Sequence, residues 1–175
     1  RPKATMTNPN RWLCGGVLAL ATGACLAQLV DLDPDWKEVQ VPAPPALKTD
    51  KLLPLEMPRY LTTRFGVDAD SIRVTTDGIV RYVMVTTAPG GSTYGSYEGI
   101  RCQTAEFKVY AKTNSGGQWT PVTDPQWRPL NANMPSQHAL ALARQGACNG
   151  RAMAEPSSEA IVRRLRGLAI DPAQR

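Results

Sequence analysis

His138 is the only histidine in the chain, so any chemistry that depends on an imidazole must run through it. A serine or cysteine nucleophile needs such a base within hydrogen-bond reach, held in turn by a third group. No GxSxG elbow accompanies His138, and a satisfied or exposed helical histidine is its simpler role. Gly90-Gly91 and Gly116-Gly117 are turn-type pairs that lack the lysine of a phosphate loop. Any two carboxylates that meet in space can support glycosidase chemistry, but no pair is singled out. With one histidine and no CxxC spacing, the pattern names no metal site. No catalytic residue is assigned, and no cofactor is expected.

The densest group of polar and aromatic residues is Arg81 and Tyr82 with Tyr97, Glu98 and Arg101. These lie on segments expected to be neighbouring strands, which makes an ion pair across the sheet reasonable. One reading is a recognition patch whose arginines bind a carboxylate or phosphate bidentately. The simpler reading is an arginine–glutamate bridge that fixes strand register.

The elements that would position these residues are mostly strands. Residues 71–76 read SIRVTT, with Ile72 and Val74 on one face and Arg73 and Thr75 on the other. Asp77-Gly78 follows as a hairpin signal, expected as a type I′ turn. Residues 79–87, IVRYVMVTT, are apolar on both faces apart from Arg81, as in a central strand covered on both sides. Gly95 and Gly99 mark a bulge or a close backbone approach in the next strand. Residues 105–112 alternate cleanly, and 118–120 follow a turn at Asn114-Ser115-Gly116-Gly117. The expected fold is α+β: an antiparallel meander of about four strands carrying one or two C-terminal helices. Residues 136–145 form the first helix, with Ser136 as its cap. Residues 157–168 form the second, capped by Ser157 or Ser158. Ile161, Val162, Leu165, Leu168 and Ala169 make its apolar stripe, and Arg163, Arg164 and Arg166 a solvated face.

Before the sheet the chain is irregular. Residues 41–46, VPAPPA, favour polyproline II geometry because each proline fixes φ and removes a donor. The segment suits either a ligand for a proline-recognition domain or, more simply, an extended arm, with Trp36 anchoring it on the domain. Further upstream, Arg1, Lys3 and Arg11 precede an apolar run at residues 13–26, LCGGVLALATGACL. That is the length of a signal-peptide core and too short for a comfortable membrane span. The expected organisation is a signal segment over residues 1–27 with its start at Met6, an arm over 28–58, and one α+β domain over 59–175. Cleavage falls after Ala27; alternatively, Thr22-Gly23-Ala24-Cys25 acts as a lipobox and Cys25 carries a lipid.

Residues 1–27 hold three of the 20 basic residues and none of the 15 acidic ones, which leaves the remainder at a net charge of +2. A near-neutral domain with 6% aromatics gives no warrant for nucleic-acid binding. Beyond the leader the cysteines are Cys102 and Cys148, 46 residues apart. In an oxidising compartment two such cysteines pair, and the expected role is a structural disulfide.

Two motifs carry a resemblance. Asp77-Gly78-Ile79-Val80-Arg81-Tyr82 and Ser96-Tyr97-Glu98-Gly99-Ile100-Arg101-Cys102 resemble the cryptic neisserial protein 1-like family, exported proteobacterial proteins of uncharacterised function. The resemblance runs from about Trp36 to Cys148 and takes in Tyr110-Ala111, Trp119 and Trp127. It departs from the pattern in the weakly defined helix before Cys148. It implies an exported α+β domain and carries over no catalytic residues.

The function these observations lead us to expect is a non-enzymatic periplasmic binding or envelope-assembly module. Its partner would be an envelope protein or a small anionic ligand, with the membrane involved only if Cys25 is lipidated. The competing class is an envelope hydrolase whose residues converge only in the fold.

Overall fold

The computed structural model describes residues 32–114 and 116–170. The leader, Met6, Cys25 and the Ala27 cleavage position lie outside the described residues. The strands are β1 (Leu52–Pro54), β2 (Arg64–Asp68), β3 (Arg73–Val74), β4 (Ile79–Thr87), β5 (Thr93–Arg101), β6 (Glu106–Thr113), β7 (Trp119–Pro121) and β8 (Arg128–Pro129). They form one antiparallel sheet in the order β1-β2-β4-β5-β6-β7, with β3 also pairing with β4 and β8 with β6. Helix α1 (His138–Leu142) runs into a π-helical turn over Ala143–Ala147. A small ribbon of β9 (Cys148–Asn149) and β10 (Ala152–Met153) leads to α2 (Ser158–Ile170). The chain is therefore α+β, with the expected meander at the centre of a wider sheet. Among the described residues no helix is long and apolar enough to cross a membrane.

The widening comes from β1 and β2 at one edge and from β8 beside β6. Leu52–Pro54, within the residues expected as arm, forms the sheet edge. Arg64–Asp68 pairs it to β4. The strand expected over residues 71–76 is instead a 3-10 turn at Ala69–Ser71 followed by the two-residue β3. Short polar side chains cause this. Asp68 Oδ1 accepts from Asp70 N (3.0 Å), Ser71 Oγ donates to Asp68 O (2.6 Å), and Val83 N donates to Ser71 Oγ (2.8 Å). Side-chain bonds to nearby backbone here replace ladder bonds.

The Asp77-Gly78 hairpin forms, but not as a type I′ turn. Gly78 N donates to Thr75 O (2.9 Å), and only Gly78, at φ 77°, is left-handed; Asp77 is not. This is a three-residue loop closed by a glycine bulge. The hairpins closed by Gly91 and Gly117 repeat it.

β4 is central, with Ile79 to Val85 all buried. Its even-numbered residues Val80, Tyr82 and Met84 join the core beneath α1 and α2, with Ile100, Phe107, Leu142, Ile161 and Leu165. Its odd-numbered Val83 and Val85 pack with Tyr97, Tyr110 and Ala111 on the other face, under Val41 and Leu47 of the arm. Ser157 caps α2, accepting from Ala160 N (3.3 Å), and Arg163, Arg164 and Arg166 are exposed. The side chains of Leu168 and Ala169 lie outside the described set. Ser136 does not cap α1, whose first turn has no side-chain cap. Cys102 and Cys148 form a disulfide with Cα atoms 5.6 Å apart, tying the end of the π turn to the end of β5.

Candidate functional site

Residues adjacent in a strand point to opposite faces, and this parity divides the sequence-derived cluster. Tyr82 pairs with Glu98 on the helical face, whereas Arg81 lies opposite Gly99, and Tyr97 opposite Val83, on the other. The ion pair expected between Arg81 and Glu98 does not form. Each instead belongs to a separate network.

On the helical face Glu98 is buried and accepts from three donors. These are Tyr82 OH (2.8 Å), Ser96 Oγ (2.5 Å) and His138 Nε2 (3.0 Å). The His138 ring stacks on Phe65, centroids 5.3 Å apart, and meets the edge of Phe107. Ser136 Oγ lies 2.9 Å from His138 Nδ1. Burial alone raises a carboxyl pKa and lowers that of an imidazole. Here the mutual attraction outweighs burial, so Glu98 is shifted down and His138 up. The same burial beside Glu98 pushes the Tyr82 phenol well up, which keeps it a donor. Ser136 also lines a cleft of about 390 Å³ with Met57, Tyr60, Met134, Leu140 and Arg144.

On the opposite face the centre is Asp77, beside the turn glycine. Its carboxylate accepts from Arg81 Nη2 (2.9 Å), Thr75 Oγ1 (2.5 Å) and the arm's Val39 N (3.1 Å); its carbonyl accepts from the Trp36 indole (2.8 Å). Arg81 Nη1 also donates to Thr75 Oγ1. Burial opposes ionisation of Asp77, but these bonds prevail and hold its pKa at about 2. Burial likewise opposes the Arg81 charge, yet Asp77 raises its pKa.

The arm supplies a second carboxylate to this face. Glu38 accepts from Lys108 Nζ (2.6 Å), Tyr110 OH (2.6 Å) and Arg81 Nη2 (3.3 Å). Trp36 lies with the Arg101 guanidinium 3.5 Å from its ring and meets Trp127 edge-on, while Lys108 sits over Trp127 at 4.9 Å. Further along, Trp119 Nε1 donates to Pro45 O (2.8 Å). The two glycines of β5 cut the trough that receives these groups. A Cβ at Gly95 would stand 2.7 Å from Leu47 of the arm, and one at Gly99 would stand 2.6 Å from Tyr110 OH. The bulge in the β5–β6 register lies between them, at Tyr97/Glu98. The Nε–H groups of Arg81 and Arg101 are buried and have no hydrogen-bond partner among the described residues.

Four of the five sequence-derived residues thus sit in these networks, while Tyr97 packs under the arm against Tyr110. Sequence reading missed Glu38, Asp77, Lys108 and Tyr110 on one face, and Ser96, Ser136 and His138 as partners of Glu98 on the other. Asp77 was visible only as a turn former. For Glu38 the one available signal was its spacing from Trp36, the residue expected to anchor the arm.

The architecture is that of an α+β domain stapled by the Cys102–Cys148 disulfide, whose sheet is covered by helices on one face and by the chain's own proline-rich arm on the other. The chain belongs to the CNP1-like family, whose model matches residues 31–166. The match takes in the arm as well as the sheet. No curated protein and no solved structure matches the chain.

Proposed function

We propose that the protein is a non-enzymatic binding or assembly module of the bacterial envelope, exported by its leader and binding through the arm face of its sheet. The observation that carries the reading is the Glu38 carboxylate in a cradle of Arg81, Lys108 and Tyr110, with Trp36 on Arg101. A sheet face that holds an irregular segment by cations, aromatic rings and an indole donor has the chemistry of peptide recognition. Trp119 to the Pro45 carbonyl matches the way aromatic grooves take polyproline segments. The ligand class is an extended, proline-containing segment carrying an aromatic residue and a carboxylate. Export fits the apolar run ending at Ala27 and the Cys102–Cys148 disulfide. Protein from envelope fractions should have a mass beginning at Gln28, or a lipid on Cys25 if the domain is anchored.

A specific-protease site inserted between Thr49 and Asp50 tests the binding reading. Both residues are exposed, so the arm can be nicked after folding and becomes a ligand in trans. Retention of the cut arm, with a measurable dissociation constant that weakens at least tenfold in a Glu38→Gln chain, supports recognition. Immediate loss of the arm from a domain that stays folded ends it.

A second reading, an envelope hydrolase, has its own observation. His138 stands between Ser136 and Glu98, and Ser136 lines the 390 Å³ cleft. With Nε2–H directed to Glu98, the neutral ring would present Nδ1 as a base for the Ser136 hydroxyl. The upward shift of His138 works against this, because the protonated ring donates to Ser136 instead. The hydrolase reading therefore expects a fluorophosphonate probe to label Ser136 increasingly with pH. No labelling between pH 6 and 10 ends it.

A further inference from the structure

The arm is attached to the sheet in an unusual way for a covering element. From Trp36 to Thr49 it has no regular secondary structure and pairs with no strand. Its ties are side-chain bonds: Trp36 to Asp77, Glu38 to Arg81, Lys108 and Tyr110, Trp119 to Pro45, and Lys48 to Asp70 at 3.5 Å. The one backbone donor used, Val39 N, goes to the Asp77 side chain. Releasing it breaks no ladder bond. The four residues before β1, Lys48, Thr49, Asp50 and Lys51, are all exposed. Lys51 is held by Asp70 and by Ala69 N, so a swing at Thr49 and Asp50 gives up only the exposed Lys48–Asp70 pair and leaves β1 in place.

An empty trough is the poor alternative. It would uncover Val83, Val85, Tyr97 and Ala111 and leave Lys108 and Tyr110 without the Glu38 carboxylate. A replacement must bring an indole, a carboxylate two residues later, and an extended proline segment ending in an apolar residue at the position of Leu47. A second copy of this chain carries that set in the correct register. Exchange of an identical element between protomers keeps every contact and is a low-cost route to a dimer.

We propose that residues 36–47 exchange between two copies of the chain, each arm lying in the trough of the other. This rests on the binding reading above and names its partner. The assembled unit is a reciprocal pair joined through residues 48–51.

The Lys108–Glu38 pair supplies the test without any mutation, because a carbodiimide joins an ammonium and a carboxylate in contact into an amide with loss of water. Full-length protein in normal and ¹⁵N-labelled forms is mixed in urea with its disulfide intact, refolded at rising concentration and cross-linked. Peptides containing joined Glu38 and Lys108 are then read by mass. Exchange gives mixed-isotope peptides whose share rises with concentration toward about half, the statistical limit for equal mixing. Cross-links between like isotopes alone, at every concentration, overturn exchange and leave the arm as a ligand in cis. No Glu38–Lys108 cross-link at all removes the binding reading as well.

Discussion

The two faces of the sheet solve one problem in opposite ways. On the helical face the acid belongs to the sheet and the cation to the cover: Glu98 of β5 receives His138 of α1. On the arm face the cations belong to the sheet and the acid to the cover: Arg81 and Lys108 receive Glu38. The helical cover is then locked, since Cys148 is bonded to Cys102 and Glu98 is buried among three donors. The arm has no such lock, and Glu38 and Lys108 keep side-chain exposures of 16% and 13%, against 1% for Glu98. Similar chemistry yields a structural latch on one side and a releasable contact on the other.

Removing the acid from each face should separate the two covers most clearly. Glu98→Ala strands a buried phenol, a serine hydroxyl and an imidazole that burial then favours in its neutral form, and should destabilise by about 3–5 kcal/mol, since each buried polar group left unpaired costs about 1–3 kcal/mol. Glu38→Ala leaves Arg81 with Asp77 and gives Lys108 access to water, so about 1–3 kcal/mol is expected. Urea denaturation of the two variants measures both. Equal losses would mean that the arm is as much a part of the core as the helices. Arg81→Met does not separate binding from stability, because Arg81 and Asp77 are both fully buried.

The second prediction concerns the lock. Replacing both Cys102 and Cys148 by Ala opens a 46-residue loop and should cost about 2–4 kcal/mol. The loss should fall on α1 and the π turn, read as faster amide exchange there, with exchange at the arm's Val39 N, bonded to Asp77, unchanged. Faster exchange at Val39 as well would show that the two covers are not independent.

What could be read beforehand follows from this contrast. β4, β6, α2 and the disulfide depend on local pattern or on the two cysteines that follow residue 27, and they were legible. β2 was not: in Arg64-Phe65-Gly66-Val67-Asp68 all but Arg64 are buried, so no alternation marks it. The candidate residues were found as types, but Arg81 and Tyr82, neighbours in sequence, belong to opposite faces. Strand parity already contained that division. The arm's docking was beyond reach because Glu38 meets Arg81, Lys108 and Tyr110 across 43, 70 and 72 residues. Nothing in the local sequence of either partner names the other.

The latch should also respond to pH in its own way. His138 titrates above its ordinary 6.5 in the fold, so its contribution is complete below pH 6.5 and is lost as pH rises through the folded value. Glu98 titrates below its ordinary 4.5, so its share is complete above pH 4.5 and is lost as pH falls. Asp77, held at about 2 against an ordinary 3.8, persists further into acid. Thermal midpoints should therefore be highest between about pH 4.5 and 6.5 and decline on the alkaline side. His138→Gln should flatten that alkaline decline. A decline that survives the substitution would belong to some other group.

The smallest expected effect lies at the turn beside the lock. The hairpins at Gly78, Gly91 and Gly117 each place glycine at the left-handed position, with φ of 77°, 86° and 76°. The β5–β6 turn is one residue shorter between its paired strands but shares the closing bond, Ala105 N donating to Cys102 O at 3.1 Å, and puts alanine at the left-handed position with φ 57°. An L residue is disfavoured in that region because its Cβ crowds the following carbonyl. The Ala105 side chain is exposed, so Ala105→Gly removes no packing. Relief of the backbone should exceed the extra freedom glycine gives the unfolded chain, for a net gain of up to about 1 kcal/mol in urea denaturation. The gain should persist in the chain lacking both cysteines, because the preference belongs to the backbone. If it vanished there, the left-handed turn would be imposed by the Cys102–Cys148 bond, and the lock would reach into the sheet as well as the helix.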